Sequence, residues 1–408
     1  MGTDASTLAE GRREERAADA PPKTPRRGPL RVGVVGLGAV AQAVHLPLLA
    51  KHPDLFGVAA VCDLSRATCA ALGDRFGIDG ASRYDSVDAL LARADLDALA
   101  ILTAGSHGPL AAAAARMGKP VFCEKPLAYT LAEADELAAL GARLQLGYMK
   151  LYDPAVERAR ELMADRPAPR SVEVTVLHPP DAPQLAHAGL LPRPSDVDAA
   201  VLAGLGADED AAVARALGDL PRELGRLYAE VVLGSIVHDL AVVRYLVGGP
   251  LELEYADRWE TSVALAGRIG GTRVSIRWHY LEGYPAYREE VHVHDAAGSV
   301  SLTFPAPYLL HAPTVLRVVD KDGAGAERVT ETRSTTEAFE RQWLAFAAFA
   351  RDGIRPRAGI AEGREDILAC QAAVALLAAR EGLAAGGEAG ATIRANNEGL
   401  EQGKGGAR

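Results

Sequence analysis

The longest apolar stretch of the chain, residues 30–50 (LRVGVVGLGAVAQAVHLPLLA), changes its period part-way along. Arg31 to Val35 is rich in β-branched residues and reads as a buried strand, Gly36-Leu37-Gly38 as a tight turn, and Ala39 to Ala50 as a helix. The alternation continues to Tyr148. Gly57–Asp63, Leu96–Thr103, Pro120–Cys123 and Leu144–Tyr148 are expected strands, with helices Arg66–Phe76, Leu110–Met117 and Leu131–Ala142 between them. Repeated βα units force parallel pairing with right-handed crossovers, so residues 30–150 are expected to form a doubly wound Rossmann domain.

Beyond Asp153 the rhythm changes. Pro154–Met163 reads as a helix and Ser171–Leu177 as a strand. Residues 179–226, rich in Pro, Ala and Asp, read as an insertion or lid with helical pieces. Leu224–Val247 is an expected helix, closed by Gly248-Gly249-Pro250. Arg273–Leu281, Glu290–Asp295, Val300–Phe304 and Thr314–Asp320 alternate, the later ones separated by short turns, which implies an antiparallel sheet. Ser334-x-x-Glu337 reads as a capping box before a helix over Phe339–Ala350, and Glu362–Glu381 as the last helix. The fold class is therefore α/β: a Rossmann domain, then an α+β domain over residues 151–385 with a largely antiparallel open sheet. Residues 1–29 show no apolar period and residues 386–408 are Gly-rich and polar, so a disordered extension and a flexible tail are expected.

Composition narrows the function classes. A net charge of −10, with basic pairs only at Arg12-Arg13 and Arg26-Arg27 near the N-terminus, argues against nucleic-acid binding. The one long apolar run carries glycines, His45 and Pro47 and does not read as a membrane span. Arg26-Arg27 precedes it in the manner of a twin-arginine export signal, but the run is already accounted for as a strand and no small-residue cleavage site closes it. Four cysteines without C-x-x-C spacing point to reduced thiols in a cytoplasmic protein and to no metal site.

The chemistry-bearing residues sit at the expected strand ends. Gly36 would make the tight turn, Gly38 would let the backbone approach a pyrophosphate, Ala41 takes the third small-residue place, and Ala39 and Val40 open the helix whose N-terminus faces the anion. Asp63, 25 positions beyond Gly38, is placed to accept ribose hydroxyls and favours NAD; Ser65 and Arg66 beside it suit a 2′-phosphate, so NADP stays open, and a plain helix N-cap is the bland alternative. Thr103 to His107 leaves the next strand with small residues that admit the nicotinamide half of a cofactor, His107 reading as support. Glu124-Lys125-Pro126 closes a further strand. A lysine there can donate to a substrate hydroxyl or carbonyl, and burial would lower its pKa toward a useful value; a surface turn lysine is the bland reading.

On GLGAVAQAVHLP, the ILTAGSHGPL…GKPVFCEKPLAYTLAEADEL stretch, LGYMKLYDPA and GSIVHDLAVVRYLVG, residues 30–382 resemble the Gfo/Idh/MocA oxidoreductases, the family of glucose-fructose oxidoreductase and inositol dehydrogenase. The resemblance implies hydride transfer between NAD(P) and a carbinol or ketone carbon of a sugar, cyclitol or related small molecule, and a homodimer or homotetramer formed through the C-terminal sheet. Lys125 matches the family's active-site lysine. The family's Asp-x-x-x-His is represented by Gly234-Ser235-Ile236-Val237-His238, in which glycine stands for the aspartate. His238 is the candidate acid/base, with Asp239 or Glu230 as a replacement carboxylate partner and open space expected beside Gly234 and Ser235; a packed helix histidine is the bland reading. Lys150 and Tyr152 follow the last Rossmann strand, where the family has arginine and an aromatic facing the substrate. Tyr284, near Tyr280, Tyr287 and His279, is a further candidate pocket residue. Two other readings remain open: redox-neutral NAD-dependent glycoside cleavage, and a non-catalytic NAD(P)-sensing regulator of the galactose-repressor kind.

Overall fold

Short runs of small and β-branched residues pair into one parallel sheet because each is buried on both faces. In the computed structural model, which describes residues 28–394, the first half runs β1 (Leu30–Val35), α1 (Leu46–Lys51), β2 (Phe56–Cys62), α2 (Arg66–Arg75), β3 (Arg83–Tyr84), α3 (Val87–Leu91), β4 (Ala98–Ile101), α4 (Gly108–Ala115), β5 (Val121–Cys123), α5 (Leu131–Ala139) and β6 (Leu144–Leu146). The strand order is β3-β2-β1-β4-β5-β6 and every pair is parallel. The order reverses between β1 and β4, so the ligand crevice lies beyond the carboxyl ends of these two strands. The two-residue β3 and five-residue α3 are too short for a periodic signal.

The second half follows as α6 (Pro154–Ala164), β7 (Ser171–His178), α7 (Asp181–Leu185), α8 (Ala199–Leu217), α9 (Arg222–Arg226) and α10 (Val237–Val247), then β8 (Glu252–Trp259), β9 (Ser262–Ile269), β10 (Thr272–Tyr280), β11 (Arg288–Asp295), β12 (Gly298–Phe304), β13 (Val315–Lys321) and β14 (Glu327–Arg333), and finally α11 (Ala338–Asp352) and α12 (Ile360–Arg380). The sheet runs β14-β13-β12-β11-β7-β10-β9-β8; β7 and β10 are parallel and all other neighbours antiparallel. Val172, Val174 and Val176 of β7 are buried in the same cluster as Val232, Ile236 and Leu240. The alternate residues of β7, β10 and β11 are half-buried or exposed, with Glu173, Arg273, Arg277 and His294 exposed.

Four details differ from the sequence reading. Leu224–Val247 is not one α-helix: Leu227–Ile236 is π-helical between α9 and α10, a widening frequent at functional sites. The N-cap of α11 is Glu337, whose carboxylate accepts the Glu340 N–H, while Ser334 accepts from Thr336 before the helix begins. α11, expected in the second domain, packs on the first sheet instead, with Trp343 stacked on Phe122 of β5 at 4.3 Å and its apolar face buried in one cluster with residues of β1 and α1. Residues 387–394 are helical where a flexible tail was expected; the Glu388 carboxylate accepts the N–H groups of Leu131 and Ala132 at 2.7 and 2.9 Å and so closes the N-terminus of α5. Residues 1–27 and 395–408, which include most of the expected extension and tail, lie outside the described residues.

All four cysteines are buried and unpaired, and burial pushes the Cys62 thiol up to about 12 and that of Cys69 to about 11. Among the described residues no helix is long and apolar enough to cross a membrane, and no group of three His, Cys, Asp or Glu side chains could hold a metal ion.

Candidate functional site

The crevice begins at the glycine turn. Gly36 has φ +90° and a Cβ there would lie 2.6 Å from the Thr103 amide, so only glycine lets β1 leave the sheet this close to β4. A Cβ on Gly38 would meet nothing within 4 Å, which leaves its backbone approachable. Leu37, Gly38, Ala39, Gln42, Asp63 and Thr68 line one side of a cavity of about 430 Å³. The Asp63 carboxylate accepts the Leu37 N–H at 2.8 Å and the Ser65 N–H at 2.9 Å, which holds it at the mouth. Thr103 Oγ1 is buried without a hydrogen-bond partner at the end of β4. A close turn, an open amide platform, a fixed carboxylate and an orphaned hydroxyl fit a nicotinamide dinucleotide. Arg66 turns away to Asp85, and its side chain is 82 % exposed.

β5 delivers Glu124 and Lys125 into the same crevice. Trp343 Nε1 donates to His45 Nδ1 at 3.0 Å, which leaves the proton of this imidazole on Nε2, 3.2 Å from Glu124 Oε1. Burial would raise the Glu124 carboxyl, but the His45 bond and the Lys125 charge hold it below its ordinary value. Lys125 donates from Nζ to the Gly234 carbonyl at 2.7 Å. Its pKa is lowered, first by burial and then by the nearby Lys150, against the opposing charges of Glu124 and Asp181. His107 is a support beneath this corner: it is fully buried and its ring nitrogens face the Pro126 and Thr103 carbonyls.

The opposite wall is the π-to-α junction. The Gly234 side of it meets Lys125 with a backbone carbonyl where the resemblance implies a carboxylate. His238 follows one turn on. Burial first, then the Lys150 and Lys125 charges, hold its pKa well below the ordinary histidine value, and its Nδ1 is buried with no hydrogen-bond partner. The imidazole is therefore neutral at pH 7, with an unpartnered ring nitrogen and within reach of the charges of Lys150 and Lys125. Behind it lies a polar cluster. Lys150 and the fully buried Glu289 form an ion pair, and the Tyr287 hydroxyl donates to the same carboxylate. Burial, then the Glu289 charge, pushes the Asp239 carboxyl well above its usual range, so Asp239 keeps a proton that it can donate to Glu289.

Residues 30–152 match the Gfo/Idh/MocA family, an oxidoreductase family with an NAD-binding Rossmann fold. Over 144 residues the chain is 36% identical to an inositol 2-dehydrogenase of Paracoccus denitrificans, an alignment covering 33% of this chain and 42% of that protein. The chain thus spans about two fifths of the length of the curated relatives it matches. The whole fold is shared more widely. An aldose-aldose oxidoreductase of Caulobacter crescentus superposes with a TM-score of 0.65 at 20% identity, covering 87% of this chain and 98% of that one. A 3-ketoreductase of Actinomadura kijaniata, solved with NADP and TDP-benzene, superposes with a TM-score of 0.64 at 20% identity, covering 88% and 98%.

Several expected contacts are redirected. Tyr152 is fully buried and its hydroxyl accepts the Arg357 N–H, with the Arg357 guanidinium over the ring, so it packs rather than faces a substrate. Ser235 accepts from Trp278 Nε1 at 2.9 Å and does not open onto free space. Tyr284 sits in the turn after β10, its amide bonded to the Leu281 carbonyl, while its neighbour Tyr287 is the tyrosine that reaches the polar cluster. Neither expected carboxylate partner of His238 serves it: Asp239 faces Glu289, and Glu230 pairs with Arg226 at the surface. Sequence reasoning missed His45, Trp343 and Glu289. Only Glu289 had a signal, as the inward member of an alternating strand.

Proposed function

We propose that this protein is an NAD(P)-dependent oxidoreductase, NAD being the preferred cofactor, that interconverts a secondary alcohol and a ketone on a sugar, cyclitol or related small molecule. The observation that carries the reading is the bond from Lys125 to the Gly234 carbonyl, one turn before the neutral His238 whose pKa the Lys125 charge helps to lower. Gly36, Gly38, Ala39, Val40, Asp63 and Thr103 would hold the dinucleotide, which when bound supplies the hydride acceptor or donor. In the oxidation direction His238 takes the hydroxyl proton on its free ring nitrogen. Lys125 donates to the developing alkoxide, oriented by Gly234 and by its charge contact with Glu124. In reduction the protonated His238 returns the proton to the oxygen while Lys125 donates its hydrogen bond to it.

Burial first, and then the Lys150 and Lys125 charges, keep His238 neutral, so it works as a base without the aspartate that the family motif places one turn earlier. Lys150 enters the site through its charge, because its amine is already committed to Glu289. The similarity to the Paracoccus inositol 2-dehydrogenase makes inositols the first substrates to try.

The test is a panel of cyclitols, aldoses and their nucleotide-linked forms with NAD and NADP. Net, stoichiometric formation of reduced cofactor with at least one of them is expected. Product without net reduced cofactor would point to redox-neutral cleavage, and tight nucleotide binding with no turnover of any substrate to a regulator. We also propose a cytoplasmic homo-oligomer that buries the outer face of the eight-stranded sheet. That face carries both signs of charge, among them Glu173, Arg273 and Arg277. Sedimentation should therefore show a dimer or tetramer that loosens as salt is raised.

A further inference from the structure

The insertion, read from the sequence as an insertion or lid, reaches the crevice beside the glycine turn. Leu190, Leu191, Pro192, Arg193 and Pro194 form the second wall of the cavity beside the glycine turn. The Leu191 N–H donates to Gln42 Oε1 at 2.9 Å, and Gln42 in turn donates to the Leu37 carbonyl at 2.8 Å, which ties this strap to the turn itself. Five residues on, Asp196 arrives at the first turn of α2. Its carboxylate accepts the Ser65 hydroxyl at 2.6 Å and the Ala67 N–H at 2.9 Å.

That position has a meaning in a dinucleotide site. The acidic residue ending β2 accepts the ribose hydroxyls, and a 2′-phosphate, where the cofactor carries one, extends past it toward the start of the next helix. There hydroxyl, amide and guanidinium donors would receive it. In this chain the donors are present and taken. Ser65 and the Ala67 amide hold the Asp196 carboxylate, and Arg66 is paired with Asp85. Asp63 stands two residues before Ser65, so two carboxylates flank the place a 2′-phosphate would need.

We propose that Asp196 is a specificity-determining residue: supplied by the insertion, it occupies the donors of the 2′-phosphate subsite and selects NAD over NADP. The inference rests on the dinucleotide reading of the crevice and adds to it a role for the strap. Asp63 alone discriminates through the ribose; Asp196 closes the subsite from the outside, with an anion of the protein's own. The strap makes cofactor choice a property of the insertion as well as of the Rossmann fold.

Dissociation constants for NAD and NADP, measured by calorimetry on the full-length protein and on Asp196→Ala and Asp196→Asn, test it. The unaltered protein should bind NAD more tightly than NADP. Asp196→Ala should bring the two constants closer by about tenfold, mainly by tightening NADP. Asp196→Asn, which keeps an acceptor for Ser65 and Ala67 but removes the charge, should show a smaller change in the same direction. An unchanged NADP-to-NAD ratio in both variants, with NAD still bound, overturns the role of Asp196 and leaves the dinucleotide site standing. Equal binding of both nucleotides by the unaltered protein overturns it as well. Failure of all three proteins to bind either nucleotide overturns the dinucleotide reading itself.

Discussion

Lys125→Met should lower turnover of the preferred substrate by about 10²- to 10⁴-fold, the range lost when a positioned proton donor is removed, with nucleotide affinity nearly unchanged. Methionine keeps most of the side-chain volume, so the crevice is not opened. The change removes the Nζ donor now 2.7 Å from the Gly234 carbonyl, and that carbonyl loses its partner in a half-buried setting. One unsatisfied buried acceptor costs about 1–3 kcal/mol, which a domain of ordinary stability survives. Thermal unfolding and nucleotide titration therefore separate a chemical defect from a folding one. A folded variant that binds nucleotide and turns over at the original rate would remove Lys125 from the reaction.

The second large effect is structural and electrostatic together. Lys150→Met leaves the Glu289 carboxylate, fully buried and bonded by Tyr287, without its counter-ion. Breaking a buried pair from one side costs about 3–5 kcal/mol, because the remaining charge keeps its desolvation penalty and loses its partner. Urea denaturation at neutral pH should show that loss; a difference below about 1 kcal/mol would mean the pair is far better solvated than its burial implies.

The same substitution has a signature in the pH profile. His238 is held well below its ordinary pKa first by burial and then by Lys150 and Lys125. Oxidation requires the neutral imidazole, so activity falls as pH drops through that depressed pKa. Removing the Lys150 charge raises the pKa, so the acid limb of the folded variant should move to higher pH, toward the ordinary value near 6.5. A limb that stays in place, or moves to lower pH, would mean that another group controls it.

The cofactor half of the site was legible because its parts are close in sequence and each obeys a local rule. Gly36 and Gly38 stand where strand period gives way to helix period, and Asp63 and Lys125 each follow the end of an apolar run, so periodicity alone put all four at one edge of a parallel sheet. The second half was less legible. Helix-like composition over Leu224–Val247 gave no sign of the π segment that turns the Gly234 carbonyl toward Lys125, since the widening depends on what the helix packs against. The aromatic face of α11 announced burial but not the sheet it would cover.

By itself, then, the sequence determined the Rossmann unit, the order of its strands' contents and the side of the sheet on which Gly36, Asp63 and Lys125 act. These follow from hydrophobic period and turn chemistry, which are local. Only the tertiary structure decided which polar groups share a pocket. Lys150 finds Glu289 139 residues away, Ser65 finds Asp196 131 residues away, and Glu124 is steadied by His45 and Trp343. A buried charge must be matched by whatever the opposing element presents, and no local pattern carries that information.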